Sequence, residues 1–221
     1  MAKINAIGNA TGSLTVDPGA AGDSTVQFSI AGTPEFIIGC DDTDDSFRIS
    51  NGNALGTTDY FVMSAAGERT MPLQPAFLAK LDSALSDVTG DGTNYGPIIW
   101  DGEIFDQNAD YDNSNGTFSA PVAGVYALTV CMAIEDLTDS HTRGTYVVPT
   151  SNGLFYINDL NIGAARNSAN DYRGSNGIIA DMDAADTTTV SLLVNGGTKV
   201  VDIVGDASTP RYSFFAGYLV C

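Results

Sequence analysis

Cations and reactive side chains are scarce in this sequence. Its 221 residues hold one histidine, one tryptophan, three cysteines and nine lysines and arginines in all. Nine scattered cations cannot build the basic stripe that nucleic acids or anionic membranes require, so neither is an expected partner. Glutamate is nearly missing as well, with four against twenty-three aspartates. Glutamate favours helices, whereas aspartate with abundant Gly and Asn favours turns, so the acids are expected on loops between strands. No stretch approaches the ~20 apolar residues of a membrane span. Met1–Thr15 carries one lysine and no apolar run of ~7–15 residues, so no secretory signal is expected and the product is read as made in a host cytoplasm. Cys40, Cys131 and Cys221 are odd in number and widely spaced in apolar runs. They are expected as buried free thiols and not as a disulfide frame or metal site.

What is present is a large apolar fraction, 43%, under a net charge of −18. A sizeable core and one large all-β domain, or a small domain with an extension, fit that balance. The acidity is compatible with cation binding or simply with solubility.

Along the first seventy-odd residues, apolar bursts at Val26–Ile30, Glu35–Gly39, Phe47–Ser50 and Tyr60–Ser64 alternate with turn-rich stretches. Strands of four or five residues at ~8–14 spacing are predicted. This segment has few large apolar residues, and a lone core below ~70–80 residues is marginal, so it is expected to need partners. Met71-Pro72-Leu73-Gln74-Pro75 marks a stiff boundary. The chain is therefore divided into an N-terminal arm and short-stranded region, 1–74, and a second domain, 75–221. In the latter, strands are predicted at Ile98–Phe105, Thr117–Pro121, Val125–Ile134, Leu154–Ile162, Ile178–Met182, Thr188–Val194, Lys199–Val204 and Ser213–Val220. Asn195-Gly196-Gly197 is predicted as a hairpin turn. The set describes a sandwich of jelly-roll type.

Two strands lack the polar alternation of a half-exposed sheet. In Val125–Ile134 the large residues Tyr126, Leu128, Val130, Met132 and Ile134 share one face by the period of two. The small residues Val125, Ala127, Thr129, Cys131 and Ala133 share the other, suited to close approach of another surface. Phe215, Gly217, Leu219 and Cys221 alternate with Phe214, Ala216, Tyr218 and Val220. Such an apolar terminal strand would promote aggregation if left bare, so burial in an oligomer is expected.

One register ties these pieces together: Trp100, Asp106, Tyr111, Phe118, Gly124, Tyr126, Leu128 and Val130, with five, four, six, five, one, one and one residues between them. This spacing resembles the signature of the complement C1q globular head. Phe215-Ala216-Gly217-Tyr218-Leu219 resembles that family's closing Phe-x-Gly-x-Leu strand, and Pro75-Ala76-Phe77 its opening, which places the first strand at Pro75–Leu81. Trp100, Leu128 and Val130 depart from the usual aromatics without changing burial character. The resemblance covers Pro75 to Cys221. It implies an all-β, ten-stranded jelly roll related to the tumour necrosis factor fold, a homotrimer, and binding to macromolecules instead of catalysis. Tyr126, Leu128, Cys131, Phe214, Phe215, Tyr218 and Val220 are then the expected trimer-interface or core residues. Trp100, Asp106, Tyr111, Phe118, Gly124, Tyr126, Phe215, Gly217 and Leu219 carry the family motif.

The region before the head has no collagen Gly-X-Y period. The Leu55-Gly56-Thr57 to Ala76-Phe77 stretch looks like bacteriophage virion proteins in which a short, intertwined β shaft precedes a C1q-like head. The resemblance thus implies a phage virion structural protein, a capsid decoration protein or short head fibre held by its N-terminal region to other virion proteins. The alternative is a receptor-binding tail-fibre tip whose loops, such as Asn108–Asn115 or Asn167–Tyr172, contact host-surface glycan.

No catalytic residues are expected. His141, within Asp139-Ser140-His141-Thr142, is read as part of a solvated loop, since sequence neighbours do not make a triad. Glu103, Asp106 and Asp110 are too many to single out as a glycosidase pair. Lys199 after Asn195-Gly196-Gly197 lacks a phosphate-loop context. Asp87-x-Thr89-x-Asp91-Gly92 imitates the start of an EF-hand loop, but Ile98 stands where its bidentate glutamate belongs. Asp110/Asp112 and Asp41/Asp42/Asp44/Asp45 are alternative oxygen clusters. No cofactor is expected, although C1q-like heads sometimes hold calcium on the trimer axis. Asn9-Ala10-Thr11 and Asn115-Gly116-Thr117 match glycosylation sequons by chance.

Overall fold

A computed structural model describes residues 15–150, 153–208 and 212–221. The Asn9-Ala10-Thr11 match and the start of the arm lie outside them. The chain separates into two compact units, the first ending at Leu73 and the second running from Gln74 to Cys221.

The first unit is a five-stranded antiparallel meander: β1 (Ser24–Ile30), β2 (Thr33–Asp41), β3 (Ser46–Asn51), β4 (Asp59–Met63) and β5 (Arg69–Thr70), each paired with the next. Alternating residues and short turns cause this order. A two-residue turn at Ala31-Gly32, both with positive φ, joins β1 to β2. Among the described residues, β2, β3 and β4 thus each have partners within the chain on both sides, β4 on its outer side at Val62 and Met63, and the β1 and β5 edges remain open to a neighbour. The register aligns Val26, Ile38, Ile49 and Phe61 in one row across four strands, flanked by the pairs Phe28–Phe36 and Phe47–Met63. The opposite face is organised by Arg48. Its guanidinium meets Asp41 at 3.1 Å, Asp44 at 2.7 Å and Asp59 at 2.5 Å. Ser50 and the Gly56 N–H also donate to Asp59. Four of the expected strand positions fall on β1–β4.

The second unit is a jelly-roll sandwich. In chain order its strands are β6 (Ala76–Lys80), β7 (Ser83–Thr89), β8 (Asn94–Tyr95), β9 (Gly102–Gln107), β10 (Tyr111–Asp112), β11 (Thr117–Ser119), β12 (Gly124–Glu135), β13 (Arg143–Thr150) and β14 (Gly153–Leu160). The one-turn helix α1 (Ile162–Ala165) follows, then β15 (Tyr172–Met182), β16 (Thr187–Thr188), β17 (Ser191–Asn195), β18 (Val201–Asp206) and β19 (Phe214–Leu219). One sheet runs β9-β6-β19-β12-β15, with β18 and β7 continuing beside the far end of β12. The other runs β10-β11-β16-β13-β17-β8, with β14 also on β13. After β12 the chain crosses the sandwich at β12–β13, β14–β15, β15–β16 and β17–β18, while β13–β14, β16–β17 and β18–β19 each stay within one sheet. The jelly-roll sandwich expected for the second domain is this unit.

The motif residues fill the space between the sheets. Trp100, Phe118, Tyr126, Val130 and Phe215 are fully buried, and Tyr111 and Leu128 nearly so. Phe77 is the hub, stacked on Tyr111 (5.0 Å) and Phe118 (4.8 Å) and edge-on to Phe215 (5.0 Å). Gly217 is required by this packing, because a Cβ there would lie 2.7 Å from the Phe77 ring and 2.8 Å from Leu128.

Several expectations are corrected. The Ile98–Phe105 strand begins only at Gly102. Residues 98–100 follow the cis Gly96–Pro97 bond outside any ladder, and the Ile98 N–H donates to the Val190 carbonyl. Asn195-Gly196-Gly197 is not a hairpin turn, because β17 and β18 belong to different sheets. It is a corner in which Gly196 has positive φ and packs tightly on Ser140 and Thr142. β7 and β13 were not expected, since Gly144 and Pro149 disguise β13 and polar residues disguise β7. The thiols are free, but Cys40 and Cys221 are exposed and Cys131 half-buried. Each lies on a sheet face or chain end that this chain alone does not cover.

Candidate functional site

The outer surface of the β9-β6-β19-β12-β15 sheet is the head's unusual surface. Alternation turns Tyr126, Leu128, Val130 and Met132 of β12 inward and Val125, Ala127, Thr129 and Cys131 outward. On β19 the inward residues are Phe215 and Gly217, and the outward ones Phe214, Ala216 and Tyr218. The registers set Ala127 beside Tyr218, Thr129 beside Ala216, and Ala216 beside Leu78 of β6. Leu78 in turn pairs with Phe105 of β9. These small residues floor a shallow depression of about 300 Å³ whose walls are Leu78, Phe105 and Tyr218.

Large apolar groups stand bare around it. Tyr218 is 55% exposed, Phe105 48%, Val220 47% and Ile179, on the neighbouring β15, 65%. No acid or base lines the depression. Charge enters at the margins, through Arg173, stacked 4.6 Å over the Tyr212 ring, and Asp181 at the ends of β15, through Glu135 at the end of β12, and through Lys80 of β6, which pairs with Phe214 and is tied to Asp82. Cys131 sits on this face with its Sγ 3.7 Å from the Tyr212 carbonyl, and partial burial raises its thiol pKa. An uncharged sheet floor with exposed aromatic walls suits another protein surface.

The expected residues therefore divide. Tyr126, Leu128 and Phe215 belong to the inter-sheet core; Cys131, Phe214, Tyr218 and Val220 belong to the outer side. Leu78, Phe105 and Ile179 were missed. An irregularity in the β6–β9 register between Leu78 and Ala79 hides the parity of Phe105. The Ile178-Ile179 doublet could have signalled Ile179, because a period of two must turn one member outward.

The motif's remaining members hold the head's shape. The Asp106 carboxylate accepts the backbone N–H groups of Asp110 (3.2 Å) and Tyr111 (2.9 Å), closing the loop that carries Tyr111 inward. A Cβ on Gly124 would lie 2.7 Å from both the Cys221 carbonyl and Leu219, so glycine lets the last strand close on β12. Asp110 pays for its position: its Oδ2 is buried without a hydrogen-bond partner, and burial together with the Asp106 charge raises its pKa.

The expectation of a solvated His141 is overturned. The ring is completely buried, packed against Gly197 beneath the 196–198 corner. Nδ1 accepts the Thr138 N–H at 2.9 Å and Nε2 lies 3.2 Å from the Thr198 carbonyl. Both nitrogens are committed to backbone, which makes the histidine a loop clamp. Its polar sequence neighbours had suggested water, but the glycines at 90 and 197 leave room for the ring.

The EF-hand imitation also dissolves. Thr89 is buried, its hydroxyl donating to the Thr93 carbonyl and accepting the Val194 N–H, while Asp91 accepts the Thr93 N–H. Asp112 is occupied by Ser114 and Asn115, whose hydrogen bonds, led by the Ser114 hydroxyl, hold its pKa down. Carboxylate oxygens of Asp23, Asp41 and Asp42 come within 4.8 Å of one another, but Arg48 already supplies the positive charge beside Asp41. No helix among the described residues is long and apolar enough to cross a membrane.

No family model matches the chain, and no curated protein matches it. Among solved structures it is similar to the globular domain of zebrafish complement 1qA protein, at 15% identity and a TM-score of 0.42, over 67% of this chain and 98% of that one. It is also similar to murine APRIL crystallised at pH 8.0, at 11% identity and a TM-score of 0.45, over 66% of this chain and 99% of that one.

Proposed function

We propose that this protein is a homotrimeric structural protein of a bacteriophage particle, most simply a capsid decoration protein or short head fibre. Its head associates through the outer face of the β9-β6-β19-β12-β15 sheet. The observation that carries this reading is the uncharged floor of Ala127, Thr129 and Ala216 between the bare side chains of Phe105, Tyr218 and Ile179. A chain of net charge −18 meets least repulsion from a copy of itself where charge is absent. The trimer follows from the C1q-like register, and the virion setting from the likeness of the Leu55–Phe77 stretch to phage proteins with a short shaft before such a head. The N-terminal region would grip the particle.

Light scattering on the full chain should give about 69 kDa, three times 23.0 kDa. Tyr218→Asp, which buries a charge in the contact, should return it to the single-chain mass with β-sheet content unchanged. A wild-type mass of 23.0 kDa would sink the trimer. Immunogold labelling of particles tests the location. Gold confined to tail tips, together with glycan binding by the purified protein, would replace decoration by host recognition.

A further inference from the structure

The apolar face of the first unit has the same character as the head's but is chemically separate from it. The row Val26, Ile38, Ile49 and Phe61, with its flanking Phe28–Phe36 and Phe47–Met63 pairs, carries no charged group over β1–β4. Phe28 is 56% exposed, Phe36 48% and Val26 42%. A sheet with one apolar face must bury it against a second layer, and the described residues of this unit supply none. The other face is already finished, with Ile37, Ser46 and Ser50 buried about the Arg48 network.

We propose that this face is a second contact between copies of the same chain, closed only when the heads have assembled. The inference rests on the trimer reading above. Area and charge select the occupant. Four strands ~4.8 Å apart, with about six residues each at ~3.3 Å, give a face of roughly 400 Å². That is about half of the ~800 Å² per partner in a standard stable interface. It is too small to hold a freely diffusing partner, but sufficient for one tethered nearby. Joining copies through their heads holds their first units at effective concentrations on the order of millimolar, which turns a weak contact into a formed one. The absence of charge on the row removes the repulsion that −18 per chain would otherwise impose.

Cys40 provides an internal reporter. It lies on this face, opposite Ser24 on one side and Phe47 on the other, and is exposed in the single chain. Alkylation of the full-length protein, with peptide mass mapping to separate Cys40 from Cys131 and Cys221, measures its cover. Cys40 in the wild-type trimer should react at least tenfold more slowly than in Phe28→Asp, which keeps the trimeric mass through its heads. Tyr218→Asp, which separates the heads, should unmask Cys40 to the same degree without touching the first unit. Equal Cys40 rates in all three proteins, with the wild type still trimeric, would overturn this inference and leave the head trimer standing. A monomeric wild type would remove the head trimer and this contact together. Cys40 that is open in the free trimer and shielded only on particles would replace the self-contact by a virion partner.

Discussion

The two units solve one problem in opposite ways. Both are antiparallel and both carry rows of large apolar residues at a period of two. In the head, two sheets face each other and Trp100, Phe118, Tyr126 and Phe215 disappear between them. In the meander there is one sheet, and Phe28 and Phe36 remain half in water. A fold that closes on itself needs partners for function, whereas one with a single layer needs them for stability as well. The head's outer face is therefore a surplus, and the meander's is a deficit.

The strongest way to break the comparison is to hollow the head. Phe215→Ala removes the ring packed edge-on to Phe77 and should cost about 3–5 kcal/mol. Trp100 is the chain's one tryptophan and lies in the head, so its fluorescence during urea unfolding reports that unit alone. The fluorescence midpoint should fall while the meander's transition, seen as the remaining circular dichroism change, stays in place.

Arg48→Ala tests the reverse. It strands Asp41 and Asp59, both largely shielded, beside an empty site, and should cost about 2–3 kcal/mol, somewhat less than breaking a fully buried pair. Here the circular dichroism should lose its meander component early while the Trp100 signal is unmoved. Coincident shifts of both signals in either variant would show that the units unfold as one.

The smallest effect sharpens the picture within the head. The Asp110 carboxyl has its pKa raised by burial and by Asp106, so the folded state favours the protonated form. Its penalty is absent below the ordinary aspartate value near pH 4, grows as pH rises through the folded value, and is full above it. Asp110→Asn should therefore raise the melting temperature slightly at pH 7, with the gain vanishing towards pH ~4. A gain independent of pH would assign the effect to something other than charge.

Much of this was legible because a period of two is hard to disguise where residues are large. The apolar burst at Val26–Ile30 revealed a strand, the alternation in Val125–Ile134 revealed a strand with its two faces in one step, and the set of strands revealed the sandwich. Partner strands of the site were harder to read. Leu78 and Phe105 meet Ala216 only through pairings that join residues far apart in sequence. β13 was invisible because Pro149 and Gly144 argue locally against a strand that its neighbours β14 and β17 enforce. His141 failed for a related reason: burial is decided by what folds over a residue, here Gly197, and not by the residues beside it.

β19 lies between β6 and β12, so the head's first strand has no inner neighbour until Phe214–Leu219 arrives. Contacts this distant along the chain close late in folding. The depression on the outer face is built from Leu78, Ala127 and Ala216, one from each of those strands. It does not exist as a surface before that closure. In the proposed trimer, subunits would thereby be kept from recognising one another while still incomplete, and folding would be the timer for assembly.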